Sequence, residues 1–227
     1  MKLVTIAGPP SSGKTAVTLK AVEALAADGL GVGVVKFDSL STQDQSLYEK
    51  HGVTVKTGLS GNLCPDHFFV SNVSDCLVWG TEQQLDLLVI ESAGLCNRCA
   101  PHIQGVLAVC VIDNLSGVDT PKKIGPMLKM ADVVVITKGD IVSQAEREVF
   151  AYRVRQVNTN ATIINVNGLT GQGGHELGRL LQSAPETADL EGNLLRFSMP
   201  AALCSYCLGQ RRIGSDFQMG NVKKMDF

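Results

Sequence analysis

The 227-residue chain has no block of basic residues, no excess of either charge and no apolar run long enough to cross a bilayer. With a formal net charge of −2, it lacks the electrostatic footprint of a nucleic-acid-binding surface. A membrane span would need an unbroken apolar stretch of about 20 residues, and there is none. The short apolar run at the N-terminus leads on without a cleavage site, so it does not read as a secretion signal. Internal repeats and low-complexity tracts are also missing. Seven cysteines without a secretion signal argue for a reducing compartment, where thiols serve chemistry or metal binding. The chain reads as cytosolic. Its length suffices to bury a full core without disulfide staples, as one large domain or one domain with an appendage.

What is present begins at once. Gly8 to Thr15 reads GPPSSGKT, a complete G-x-x-x-x-G-K-[ST] phosphate-binding loop. Lys2 to Ala7 before it is a short apolar run rich in β-branched residues. After it, Val17, Ala21, Ala24 and Leu25 fall at helical spacing, and Asp28-Gly29 closes the helix. A strand–loop–helix setting is what this motif needs, and it separates the motif from an ordinary Gly/Pro/Ser turn. Glycines let backbone N–H groups close around phosphates, and a helix N-terminus aims partial positive charge at them. Gly8, Ser11, Ser12, Gly13, Lys14 and Thr15 are the expected phosphate ligands. Lys14 is to reach the β- and γ-phosphates, and the Thr15 hydroxyl is to bind Mg²⁺. The expected ligand is a nucleoside triphosphate.

Apolar runs at Leu3–Ala7, Val32–Phe37, Leu87–Ile90, Leu107–Ile112, Val133–Ile136 and Ile163–Val166 alternate with helical patterns at Ala16–Ala27, Thr42–Lys50, Ser143–Val157 and Gly174–Gln182. Alternation of this kind predicts an α/β fold of P-loop NTPase type, with a mostly parallel sheet and helices on both faces. Several runs are continuous Val/Ile/Leu, as in strands buried on both sides. Val55–Val78 reads as a loop with a short strand at Phe68–Val70. Regular alternation stops at Pro185, which predicts a nucleotide-binding domain over 1–184 and a Cys-containing extension over 185–227, packed on or beside it.

Four further motifs narrow the chemistry. Leu87 to Glu91 is an apolar strand ending in a carboxylate, followed by Gly94. Glu91 at such an edge can hold Mg²⁺ through water, and Gly94 lets the backbone approach the γ-phosphate. The plain alternative is a surface Glu at a strand end. Val133 to Asp140 is a strand ending in T-K-x-D, which looks like the guanine-reading element of GTPases, usually N-K-x-D; signal-recognition-particle GTPases carry the same Thr. An Asp140 carboxylate can accept from the ring N1–H and exocyclic amine of guanine, which adenine cannot reciprocate. Lys138 would stack on the base, and Thr137 begins the motif; the alternative role of Asp140 is a helix cap. Asn167-Gly168, opening a Gly-rich turn after the last strand, looks like the final base-contacting loop. Asp38, closing the second strand, can orient the attacking water or touch Mg²⁺. Lys14, Asp38 and Glu91 are thus the candidate catalytic residues, and Thr15, Asp38 and Glu91 the candidate Mg²⁺ ligands.

The order of these motifs resembles the HypB/UreG/CobW group, P-loop GTPases that help insert nickel or cobalt into enzymes. The resemblance runs from the N-terminus to about Gln182. Ile90-Glu91-Ser92-Ala93-Gly94 is close to the I-E-S-G-like context of the urease-accessory branch, and Asp113–Lys138 is similar in layout. Thiols near the switch regions take up metal in both branches. The urease branch uses Cys-Pro-His, where this chain has Cys64-Pro65-Asp66-His67. The hydrogenase branch has one Cys-Pro after the Glu, where this chain has Cys96-Asn97-Arg98-Cys99-Ala100-Pro101-His102. No Cys/His cluster precedes the phosphate loop, so the N-terminal metal site of the hydrogenase branch is not expected here. The resemblance implies a homodimeric GTPase that binds GTP/GDP and Mg²⁺ and serves a client metalloenzyme or its accessory proteins.

The thiols suggest the cargo. Cys96-x-x-Cys99 and Cys204-x-x-Cys207 each present two thiolates at metal-bite distance, and together they make a Cys₄ set suited to Zn²⁺ or an Fe–S cluster. Ni²⁺ is also compatible, with imidazole from His67 or His102. Cys64, His67, Cys96, Cys99, Cys204 and Cys207 are the candidate cargo ligands, whereas Cys76 and Cys110 sit in apolar runs and read as core. Arg98 is the candidate for charge supplied in cis. The expected function is a GTP-hydrolysing metallochaperone. Two other readings stay open: a small-molecule kinase, which would need an acceptor pocket and an Arg-rich lid, and a nucleotide-gated binding protein whose Zn or Fe–S site is purely structural.

Overall fold

Runs of β-branched residues and leucine become the strands of one sheet in the computed structural model, which describes residues 1–96, 99, 101–197, 209–218 and 220–227. The strands are β1 (Lys2–Ala7), β2 (Val32–Asp38), β3 (Thr54–Leu59), β4 (Leu87–Glu91), β5 (Leu107–Asp113), β6 (Val133–Thr137) and β7 (Thr162–Asn165). They pair in parallel in the order β3-β2-β4-β1-β5-β6-β7. Every position of β4 and β6 is buried, which is why those segments carry no polar alternation. The strand order reverses direction around β1, so the loops after β1, β2 and β4 meet at one edge. That crevice beyond the carboxyl ends is where α/β sheets place ligands.

Helices cover both faces. On one, α1 (Lys14–Ala27) and α7 (Gly174–Gln182) set Val17, Leu25, Leu177 and Leu181 against Val4, Val89 and Val109. On the other, α3 (Pro65–Glu82) sets Phe69 and Val73 against Leu88 and Ile90, while α6 (Gln144–Val157) sets Phe150 and Val154 against Val134. Each such fully buried side chain contributes about 1.5–3 kcal/mol. The start of α6 is fixed by a capping box in which Ser143 and Glu146 exchange side-chain and backbone hydrogen bonds. Short helices α2 (Asp44–Lys50), α4 (Thr120–Lys123) and α5 (Pro126–Lys129) complete the described elements of regular helix.

One expectation is overturned. Phe68–Val70 is not a strand but the first turns of α3, and the strand of that region lies earlier, at β3. Pro65 at the helix start sets the backbone for α3, and Phe69, Val73, Cys76 and Gly80 then recur at helical spacing on the buried face. The adjacent aromatics mimic a strand because both rings are buried: Phe37 of β2 takes Phe68 and Phe69 edge-on, at centroid distances of 5.6 and 5.3 Å.

The segment beyond α7 packs on the α3 side. Leu190, Leu195 and Ile213 join the same core cluster as Phe69 and Leu88. Arg196 is bidentate to Asp132, with both bonds at 2.7 Å, and also donates to the Met130 and Val106 carbonyls. Cys204 and Cys207 lie outside the described residues, as does Arg98.

Candidate nucleotide site and thiol cluster

Gly8 and Gly13 shape the loop. A Cβ at Gly8 would collide with the Val111 carbonyl of β5, and Gly13 adopts φ +91° where α1 begins. Lys14 folds back across the loop and donates to the Gly8 and Pro9 carbonyls, at 3.0 and 2.9 Å. Burial pulls its pKa below the usual lysine value, and the Glu91 carboxylate works against that pull.

Glu91 is fully buried at the end of β4. Its Oε2 accepts from the Tyr48 hydroxyl at 3.0 Å, and its Oε1 accepts from Lys36 of β2 and lies 2.9 Å from Thr15 Oγ1. Asp44, which opens α2, places Oδ2 2.9 Å from Lys36 Nζ and 3.0 Å from Thr15 Oγ1. Burial acts to lower the Lys36 pKa, but Glu91 and Asp44 outweigh it and hold the amine above its usual value. For Asp44, burial acts upward and is outweighed by Lys36 and the Thr15 and Thr42 hydroxyls, leaving the carboxyl below its usual value. Burial, then Glu91, pushes the Tyr48 hydroxyl well up. Thr15, Asp44 and Glu91 thus gather one hydroxyl and two carboxylates around a single ammonium. An all-oxygen donor set of this kind fits Mg²⁺. Asp38 stands outside this hydrogen-bonded group: its Oδ1 accepts from Ser39 N at 2.8 Å, while its charge acts on Lys14.

The base end lies across the loop. Thr137 Oγ1 donates to the Ser12 carbonyl at 2.7 Å, and Lys138, at φ +57°, donates to the Ser11 carbonyl at 2.7 Å. T-K-x-D is therefore tied directly to the phosphate loop. Asp140 is exposed and lines a cavity of about 110 Å³ with Gly139, Arg147, Asn165 and Asn167. Asn167 Oδ1 closes its own turn by accepting from Leu169 N and Thr170 N, and Gly168 presses against Ala16 of α1.

From Glu91 the chain passes Gly94, at φ +73°, where an added Cβ would collide with the Gly8 carbonyl. Two residues later Cys96 is half-buried, and Cys99 is buried. Both meet the N-terminus of α3: the ligand atoms of Asp66, Cys96 and Cys99 all lie within 4.8 Å of one another. Burial raises the Asp66 pKa to about 6, opposed by a hydrogen bond from the Cys99 thiol. Burial, then Asp66 and Cys96, pushes the Cys99 thiol up, and Cys64 adds to the same effect. Cys64, the N-cap of α3, therefore stands close to the cluster. His67 turns elsewhere, toward Gln218 and the Asn221 backbone. His102 is a core residue, with Nδ1 3.1 Å from Thr5 Oγ1 and Nε2 3.1 Å from the Met127 carbonyl; burial takes its pKa down to about 4. Both of its nitrogens are engaged, so it is not part of the thiol cluster. Cys76 and Cys110 are buried core residues.

The CobW/HypB/UreG nucleotide-binding domain matches residues 2–165. The chain belongs to this family. An uncharacterized protein of Methanocaldococcus jannaschii is 45% identical over 226 residues, spanning 100% of this chain and 97% of that protein. The urease accessory protein UreG of Mycobacteroides abscessus is 30% identical over 148 residues, 61% of this chain and 64% of the relative. HypB from Helicobacter pylori, solved in complex with nickel, superposes with a TM-score of 0.62 at 19% identity, covering 83% of this chain and 91% of that one. In this CobW/HypB/UreG chain, sequence reasoning missed Lys36, Asp44, Tyr48 and Asp66. The available signal for Lys36 was a lysine inside VGVVKFD, since a charge in a buried strand needs a partner. Asp66 carried no such signal, because a polar residue in the first turn of a helix is ordinary.

Among the described residues no helix is long and apolar enough to cross a membrane.

Proposed function

We propose that this chain is a cytoplasmic, GTP-hydrolysing metallochaperone that couples its nucleotide state to the binding and delivery of a metal. The observation that carries this reading is the path of one short segment. It leaves Glu91 beside Thr15, crosses the Gly8 carbonyl at Gly94, and delivers Cys96 and Cys99 to Asp66. A change at the terminal phosphate is thereby two residues from a thiol.

In this reading Lys14 gives up the Gly8 and Pro9 carbonyls for the β- and γ-phosphates, with Gly8, Ser11, Ser12 and Gly13 lining the loop. Thr15 and Glu91 would hold Mg²⁺, with Asp38 or Asp44 beside them, and the ion would supply positive charge to offset that of the phosphates. Asp38 positions the attacking water. Asp140 selects guanine, with Thr137, Lys138, Asn167 and Gly168 framing the base. Cys96, Cys99 and Asp66, with Cys64 close by, hold the cargo. A thiolate-rich set with one carboxylate favours Zn²⁺ or another borderline divalent ion such as Ni²⁺, and nickel is the ion bound by the HypB structure of similar fold. Cys204 and Cys207 would add ligands when a second copy or a client enzyme docks, whereas His67, fully buried and turned toward Gln218 and Asn221, would not. By linkage, metal bound at the thiols must alter nucleotide affinity by the factor with which nucleotide alters metal affinity.

The test is metal analysis of anaerobically purified protein loaded with GDP or with a non-hydrolysable GTP analogue. Metal content should differ between the two states and should vanish in C96S/C99S. Equal content in both states removes the coupling. One observation favours a second reading: Cys99 and Asp66 are buried, as ligands of closed structural sites are. A metal that stays bound through many rounds of hydrolysis would support a nucleotide-gated binding protein instead.

A further inference from the structure

Lys36 has no place in the motifs that define the nucleotide site, yet its ammonium stands at their centre. It is 4% exposed and held by β2 in direct register with Glu91 of β4. Three oxygen groups converge on it: Glu91 Oε1, Asp44 Oδ2 at 2.9 Å and Thr15 Oγ1 at 3.4 Å. An ammonium offers three donors, so these acceptors complete it. Two of the three, Thr15 and Glu91, are the groups assigned above to Mg²⁺. One cation position and two claimants cannot both be served.

We propose that Lys36 is a built-in cation that occupies the divalent-ion site of the nucleotide-free protein and must release it before a metal-bound triphosphate can be held. The inference rests on the reading of Thr15 and Glu91 as Mg²⁺ ligands. Its physical basis is charge. With Lys36 in place, Glu91 and Asp44 share one positive charge, and Glu91 Oε1, Asp44 Oδ2 and Thr15 Oγ1 all face the ammonium. Without it, two carboxylates and a hydroxyl would face one position with nothing between them, a donor set a hard divalent ion binds unaided. The lysine thus makes ion binding conditional on the triphosphate, which alone brings enough negative charge to draw the ammonium away. The free protein is kept from taking up a divalent ion at the hydrolytic site while its thiols are open to cargo. Soft and hard metal sites stay distinct on one short segment.

The test uses the full chain and Mn²⁺ as a paramagnetic probe, with no nucleotide present. Wild-type protein should show no Mn²⁺ at this cluster. K36Q should gain one site, binding at least about 10-fold more tightly than anything in the wild type, and K36Q/E91Q should lose it again. Equal Mn²⁺ binding by wild type and K36Q overturns the proposal. A second arm measures a fluorescent, non-hydrolysable GTP analogue in EDTA and in Mg²⁺. The Mg²⁺ enhancement of its affinity should be smaller in K36Q by about 10-fold, because the ion then also binds the free protein; an unchanged ratio overturns the proposal. If K36Q does not fold, the wild type still decides. Mn²⁺ bound without nucleotide and abolished by E91Q refutes the proposal, and Mn²⁺ appearing only once the analogue is added supports it. Failure of the wild type to bind any triphosphate analogue refutes the nucleotide reading, whereas the Mn²⁺ comparison judges Lys36 by itself.

Discussion

The phosphate end and the thiol end of this protein solve the same problem in opposite ways. Both bury ionisable groups within a few residues of one another. At the phosphate end the groups pair with one another: Lys36 with Glu91 and Asp44, and Lys14 with the carbonyls of its own loop. At the thiol end and just beyond it, burial pushes the groups toward their uncharged forms, with Asp66 and Cys99 raised and His102 lowered. An ion-paired cluster is preset for a charged ligand, since its partners can be exchanged one for one. The raised Cys99 thiol must lose its proton when a metal enters, so metal uptake there is coupled to proton release.

The largest effect should come from breaking the charged cluster. Glu91→Ala leaves Lys36 buried and deprives it of its nearest carboxylate. Removing one partner of a buried pair costs about 3–5 kcal/mol. Chemical denaturation of the nucleotide-free protein should show that loss, and Glu91→Gln should show a smaller one because it keeps an acceptor for Tyr48 and Lys36. A loss under about 1 kcal/mol for the alanine variant would mean that the cluster is solvated and that the two ends do not differ in this way.

The effect of burial is tested by pH at His102, a core residue outside the thiol cluster. Its folded pKa of about 4 lies below the ordinary histidine value of 6.5, so the unfolded chain binds the proton more readily. Stability from this residue is therefore complete above about pH 6.5 and is lost as the pH falls toward 4. The neutral ring accepts from the Thr5 hydroxyl at Nδ1 and donates to the Met127 carbonyl from Nε2; a protonated ring would reverse the first bond, with Thr5 as acceptor, and its main cost would be a buried charge. Full protonation in the folded state would cost up to about 3 kcal/mol. His102→Gln should flatten the acid limb of the stability curve by an amount approaching that figure. Because carboxylates also contribute to acid unfolding, the quantity to compare is the difference between wild type and variant. An unchanged slope would show that the ring is not kept neutral.

Much of the phosphate end was legible because its signals are local. The loop, its flanking strand and helix, Glu91 at a strand end and T-K-x-D each occupy consecutive residues whose chemistry is fixed by spacing. The remainder depends on register. Lys36 meets Glu91 only because β2 pairs with β4, and Asp44 and Tyr48 join them from a short helix further on. No linear pattern encodes such a meeting. Asp66 is similar, since it is joined to Cys96 and Cys99 by the docking of α3 against the segment after β4. The misread strand at Phe68–Val70 had a different cause. Three consecutive apolar residues carry no periodicity, and Pro65, which starts α3, was the better guide.

The smallest effect should fall at the base end, where Asp140 is exposed and so should be readily replaced. Asp140→Asn cannot accept from both the ring N1–H and the exocyclic amine of guanine. It should weaken GTP by about 1–3 kcal/mol relative to ATP, measured by competition against a fluorescent analogue. Stability should not move, because no buried partner is left unpaired. Metal content at the thiols, measured without nucleotide, should not move either, since Lys138 and Thr137 remain tied to Ser11 and Ser12 whichever side chain stands at 140. With GTP present, the variant should reach the same metal content as wild type once nucleotide is raised to compensate for its weaker binding. A shortfall that persists at saturation would mean that the base loop, and not only the segment from Glu91 to Cys99, carries the signal to the thiols.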